Sequence, residues 1–219
     1  MSATEATFTV APNLQSKREE LANTLTHLVA VLLSIAGLPT LLRAAPAGAA
    51  TVGAAIFGGA LIMLYGASTA YHAVAPGTLK RILRRADHMS IYVLIAGTYT
   101  LVALTLLEGW WVPWLLGAQW FVAAVGMLFK AVYGPRWERL STGLYVVMGW
   151  MGAFCVVPVL EQLPTGALGL LLLGGVFYTG GVAFYMKDQQ WRYAHSIWHL
   201  FVMGGSASHF ALGWFYALQ

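Results

Sequence analysis

Seven apolar stretches of about 20 residues follow one another along this chain, and that repetition limits what it can fold into. A helix needs about 20 such residues to cross the hydrocarbon of a bilayer. The runs cover roughly residues 21–42, 51–75, 88–107, 111–131, 141–160, 165–186 and 194–217. The connectors at 43–48, 76–87, 108–110, 133–140, 161–164 and 187–193 carry most of the charges and four of the eight prolines, and none is long enough for a separate domain. Charged residues make up only 9% of the chain, against about 25% in soluble domains. The expected fold class is all-α: an integral membrane seven-transmembrane helix bundle over residues 17–219, preceded by a flexible tail over residues 1–16. Residues 1–20 are polar and mixed, so no secretory signal peptide is expected ahead of the first run. The single cysteine, Cys155, leaves no intramolecular disulfide and no thiolate metal site.

Charge orients the bundle. With seven spans, one set of ends comprises the N-terminus and the connectors after the second, fourth and sixth spans. It holds Lys17, Arg18, Lys80, Arg81, Arg84, Arg85, Lys130, Arg136, Arg139, Lys187 and Arg192, while the opposite set holds Arg43 alone. Basic residues stay on the cytoplasmic side, which predicts a cytoplasmic N-terminus and an outside C-terminus, in the cell inner (plasma) membrane. The pI near 9.3 therefore reflects a membrane surface, and no nucleic acid partner is expected. A rhodopsin-type pump needs a lysine deep in its last span, and every lysine here lies at or beyond a cytoplasmic end. A G-protein-coupled receptor would place its N-terminus outside. Trp110, Trp111, Trp114, Trp214 and Tyr216 read as an outer interfacial belt.

Polar residues then stand out by their level. His195 and His199 are four apart and share a helix face. Ser68 and His72 close the second span, Asp87 and His88 open the third, and Glu20, Asn23 and His27 line one face of the first. At 1.5 Å per residue, His72, Asp87, His195 and His199 each fall within about 10 Å of a cytoplasmic helix end. Ionisable groups inside a membrane mark functional sites. Three imidazoles with an open fourth position match a catalytic zinc centre. His72, His195 and His199 are therefore the expected zinc ligands, with Asp87 and Ser68 orienting or deprotonating a water at the metal. His27 and His88 are expected to hydrogen-bond around the site rather than ligate. Asp87 also suits a helix cap, a role compatible with the first. His209 lies about 21 Å along the helix from His195 and drops out as structural. A haem reading leaves the His195/His199 pair unexplained.

Together the motifs Glu20-x-x-Asn23-x-x-Thr26-His27, Ser68-x-x-x-His72, Asp87-His88-x-x-Ile91-Tyr92-x-x-Ile95-Ala96-Gly97-Thr98-Tyr99-Thr100 and His195-x-x-x-His199 resemble the hemolysin III family. That family lies within the wider group of progestin and adiponectin receptors. The resemblance implies a seven-helix bundle with zinc near the inner leaflet, held by the same three histidines. It also implies a relation to intramembrane hydrolases of ceramide-like lipid amides, and a part in membrane lipid homeostasis. The expected partner is accordingly a membrane lipid. Two other readings stay open: a non-enzymatic regulator or sensor in which zinc is a structural clamp, and a cytolytic pore. A pore calls for a polar stripe through the full depth of a helix, whereas the polar groups here concentrate in the inner half.

Overall fold

The computed structural model describes residues 15–218, and the tail expected over residues 1–16 lies outside them up to residue 14. The described residues are helical throughout, with no strand among them. The helices are α1 (Lys17–Ala44), α2 (Ala49–Ala73), α3 (Thr78–Leu106), α4 (Val112–Tyr133), α5 (Glu138–Gly149), α6 (Val156–Gln162), α7 (Thr165–Tyr185) and α8 (Ala194–Leu212). A 3-10 turn, Met151–Cys155, joins α5 to α6, and Glu138–Gln162 together form one broken span. Six helical segments are thus long and apolar enough to cross a membrane. The six are α1 to α4, the broken α5–α6 segment and α7. α8 stands apart because three histidines and three serines dilute its apolar residues.

Helix ends follow local chemistry. Ser16 and Glu19 form a capping box at α1: Ser16 Oγ accepts the Glu19 N–H (3.3 Å), and the Glu19 carboxylate accepts the Ser16 N–H (2.9 Å). Pro76 ends the segment after α2, but α3 begins at Thr78, about ten residues ahead of the apolar run at residue 88. The basic stretch Lys80–Arg85, expected in a connector, is therefore helical. Lysine, arginine and leucine are good helix formers; Arg81 and Arg85 are exposed, while Lys80 and Arg84 turn inward to Glu20 and Glu138. Asp87 consequently lies inside α3, which removes its reading as a helix cap.

Consecutive helices pack in pairs, α1 with α2, α2 with α3, α3 with α4 and α7 with α8, and α1 also packs against α8, so the first and last helices meet. α2 and α3 approach closely because small residues face each other: a Cβ at Gly97 would sit 3.1 Å from that of Ala60. On the outside, Leu33, Phe121, Val176 and Phe154 are exposed, as expected of side chains that meet lipid tails. α5–α6 makes the fewest contacts with the rest.

The expected continuous span over 141–160 is interrupted. Pro158 lacks an N–H and cannot sit mid-helix without cost, and the break places it in the first turn of α6. Backbone groups freed inside hydrocarbon need partners. Tyr99 Oη supplies two, donating to Gly149 O and accepting from Gly152 N–H, both at 2.8 Å. Gln119 Nε2 donates to Met148 O at 2.9 Å, and Trp150 Nε1 donates to Thr179 Oγ1 at 2.9 Å. Tyr99→Phe should cost about 1–3 kcal/mol by stranding both backbone groups, read as a lower thermal unfolding midpoint in detergent.

Candidate metal centre

The N-terminal parts of α1, α3 and α8 and the C-terminal end of α2 converge on one polar cluster. α2 delivers His72 on its last turn, and α8 delivers His195 and His199 from its first two turns. One ring nitrogen of each histidine lies within 4.8 Å of the corresponding atoms of the other two. All three are buried, and the ring centroids stand 4.8–5.2 Å apart. These three residues could hold a single metal ion.

Each imidazole is held through its other nitrogen by a separate acceptor. His72 Nδ1 meets Glu20 Oε2 at 2.7 Å, His195 Nδ1 meets Asp188 Oδ2 at 3.2 Å, and His199 Nδ1 meets Thr26 Oγ1 at 3.0 Å. Thr26 spends its own proton on the Ala22 and Asn23 carbonyls, so it accepts from His199. Proton placement on Nδ1 leaves the lone pair of each Nε2 free to bind. That is how histidine ligands are commonly oriented. The Nε2 of His72 is buried with no hydrogen-bond partner, an arrangement costly for a neutral imidazole unless something else engages it. The donor set thus fits a borderline metal such as zinc.

Glu20 is shared, its second oxygen receiving the Lys80 ammonium at 2.9 Å. Lys80 also donates to the Tyr71 and Val74 carbonyls at the end of α2, so Glu20 joins α1, α2 and α3. Asn23 is fully buried and ties α1 to α8. Its amide donates to Gln15 Oε1 (2.6 Å), and its carbonyl accepts from Ser196 Oγ (2.5 Å). His27 behaves differently from expectation. Neither of its nitrogens is hydrogen-bonded, and its ring lies flat on His199, with centroids 3.5 Å apart and planes at 9°. The ring edge of Tyr65 packs on it at 4.9 Å. His88 is spoken for at both nitrogens, by the Arg84 carbonyl (2.8 Å) and by Tyr185 Oη (3.3 Å). His209, expected to stand apart, does so: it faces the Leu171 carbonyl at 3.2 Å.

A cavity of about 380 Å³ opens beside the cluster. Asp87, Ser68, His195 and His199 line its polar end, and Leu107, Leu115 and Leu160 line its far end. Between them the wall is almost wholly apolar, contributed by α3, the broken α5–α6 segment, α7 and α8. Asp87 is buried, and the Ser68 hydroxyl lies beside its carboxylate, close enough to interact with it.

Thr26 and Asp188 are the two acceptors that sequence reasoning did not assign. Thr26 falls within the first-helix motif but looks there like an ordinary helix residue bonding back to its own turn. Asp188 sits in the connector before α8 and carries no periodic signal. It reaches His195 because the chain turns at Tyr193, the one non-glycine residue among those described with a left-handed backbone (φ 59°). The Tyr193 N–H donates to Glu19 Oε1 at 3.0 Å, so the cap of α1 also fixes the entry to α8.

The sequence profile of the family described as Haemolysin-III related matches residues 15–210. A "Hemolysin-3 homolog" of Bacillus subtilis (strain 168) is 41% identical over 208 residues, covering 92% of this chain and 96% of the relative. "Hemolysin-3" of Bacillus cereus is 36% identical over 207 residues, covering 93% and 94%. The human "Monocyte to macrophage differentiation factor" is 30% identical over 215 residues, covering 90% and 84%.

The α1–α8 tie is testable apart from any metal. Asn23→Leu leaves Ser196 Oγ without its acceptor and should cost about 1–3 kcal/mol. Chemical denaturation in mixed micelles measures it, with Thr24→Ala as a helix-surface control expected to change stability by less than about 0.5 kcal/mol.

Proposed function

The chain belongs to the haemolysin III family of multi-pass membrane proteins, and from that premise we propose that it is a zinc-dependent intramembrane hydrolase of lipid amides of the ceramide type. The observation that carries the proposal is a three-histidine cluster, each ring oriented by its own acceptor, at the polar end of an apolar cavity. In this reading α8 is the seventh span, despite its diluted hydropathy. The basic connectors face the cytoplasm, the C-terminus lies outside, and the site sits near the inner leaflet of the plasma membrane.

His72, His195 and His199 would hold the ion, and Glu20, Asp188 and Thr26 would keep their rings turned toward it. Zinc in such a centre supplies Lewis acidity and lowers the pKa of a water it binds toward about 7. The chain's own groups divide the remaining work. The apolar cavity receives an acyl chain and keeps bulk water from it, which places the amide carbonyl at the polar end. Asp87, on the cavity wall, is positioned to take a proton from the attacking water and return it to the leaving amine. The Ser68 hydroxyl, beside Asp87 on the cavity wall, would turn from that carboxylate to donate to the oxygen on which charge develops. Glu20 and Asn23 brace the cluster from α1, and His27 backs the His199 ring by stacking. The product of this chemistry, free fatty acid, links the protein to membrane lipid homeostasis.

A second reading has its own support. The cluster and its acceptors fasten α1, α2, α8 and the connector before α8, which is what a structural clamp in a non-enzymatic membrane sensor would do.

Metal analysis and lipid turnover separate the two. Purified protein should carry about one zinc per chain, and His199→Ala should lose it. Glu20→Gln should weaken zinc binding about 10–100-fold, measured by competition with a chelator. Asp87→Asn should keep the zinc while release of fatty acid from ceramide, followed by mass spectrometry, falls about 10²–10⁴-fold. Stoichiometric zinc with no fatty acid release from ceramide leaves the clamp. Turnover that survives loss of zinc in His199→Ala sinks the hydrolase mechanism.

A further inference from the structure

Behind the histidine cluster, at the same end of the bundle, the junction of α3, α4 and α5 holds more positive charge than it neutralises. Lys130, on the last turn of α4, is only 2% exposed. Among the described residues its ammonium has no hydrogen bond, although it lies within electrostatic reach of Arg84 and Glu138. Arg84 spends one guanidinium nitrogen on Glu138, and its Nε stays buried without a partner. Arg85, on the next position of α3, lies against Gly134, where a Cβ would come within 3.4 Å of its Nε. Gly134 in turn caps α4, its N–H bonding the Lys130 carbonyl, with a left-handed φ of 58° that glycine readily adopts. Three cations therefore meet two carboxylates, Glu138 and, within electrostatic reach of Arg84, Asp87, at the margin of a low-dielectric bundle. Unbalanced charge in such a place is expensive, and the usual remedy is a bound counter-charge.

We propose that Lys130, Arg84 and Arg85 form a discrete binding site for the phosphate of an anionic phospholipid, seated where α3, α4 and α5 meet. The chemistry recognised is a phosphate oxygen set: Lys130 meets it as a point charge, and Arg84 Nε offers a directional N–H. A lipid headgroup is favoured over free phosphate because Trp137 and Leu140, which bracket Glu138 in sequence, are both more than half exposed and suit contact with acyl chains. Basic pockets at the cytoplasmic ends of membrane helices take such headgroups. The site differs from a diffuse attraction of the basic connectors in having a stoichiometry and depending on a buried lysine. It is independent of any metal or hydrolytic role of the histidine cluster.

Native mass spectrometry of the full chain in detergent tests it, with added dioleoyl phosphatidylglycerol, dioleoyl phosphatidylcholine or inorganic phosphate. The expected result is saturation at one phosphatidylglycerol per chain, with phosphatidylcholine binding at least ten-fold weaker. Lys130→Met should weaken phosphatidylglycerol binding at least ten-fold, while Arg43→Gln at the opposite end of the bundle leaves it unchanged. Should Lys130→Met fail to fold, Arg85→Gln, at an exposed position, should weaken binding at least three-fold. Equal binding of the two lipids, or phosphatidylglycerol binding indifferent to Arg85→Gln, overturns the site. Complete displacement of the lipid by millimolar inorganic phosphate overturns the assignment of a lipid as its occupant.

Discussion

An imidazole placed inside a helix bundle is costly to keep unless its N–H finds an acceptor, because no bulk water is there to take it. The arrangement around the three-histidine cluster follows from meeting that need three times at one point. Glu20 accepts the N–H of His72, Asp188 that of His195 and Thr26 that of His199. These acceptors come from α1 and from the connector before α8, so satisfying the histidines also fixes where α1 enters and where α8 begins. The capping box at Ser16 and Glu19 extends the same logic outward. The carboxylate that closes the box also holds the Tyr193 backbone at its left-handed turn. Helix ends, loop geometry and ring orientation are thus parts of one connected hydrogen-bond system.

The same accounting explains the broken α5–α6 segment. Pro158 and the glycines beside Trp150 prevent an unbroken helix, and the stranded backbone groups find Tyr99, Gln119 and neighbouring turns instead. Tyr99 belongs to a long motif on α3 whose other members, Asp87 and His88, sit at the polar end of the cavity. One helix therefore carries both the carboxylate of the candidate site and the clip that shapes the cavity wall. The cavity exists beside α3 because the partner segment there is kinked and lightly packed.

Much of this was legible in the sequence, and the pattern of success has a physical basis. The grouping of His72, Asp87, His195 and His199 at one level could be read because span length fixes depth and basic residues mark the ends. Family membership could be read because each motif keeps its residues on a helix face. Contacts made by connectors were not legible: Asp188 reaches His195 through a turn at Tyr193 that no periodicity announces. The stacking of His27 on His199 was also out of reach, since composition cannot tell a ring that donates from one that packs. The start of α3 at Thr78 was missed because hydropathy reports where a helix enters lipid and says nothing of where it begins in water.

The histidine cluster draws His72 from the second helix, Glu20 and Thr26 from the first, and His195 and His199 from the last. During synthesis, then, the first two helices enter the bilayer long before their partners exist. Before α8 is made, Glu20 can already hold His72 and Lys80, whereas the Nε2 of His72 has neither His195 nor His199 beside it. The cluster is therefore completed only by the last helix, and its first ring is oriented before its two neighbours exist.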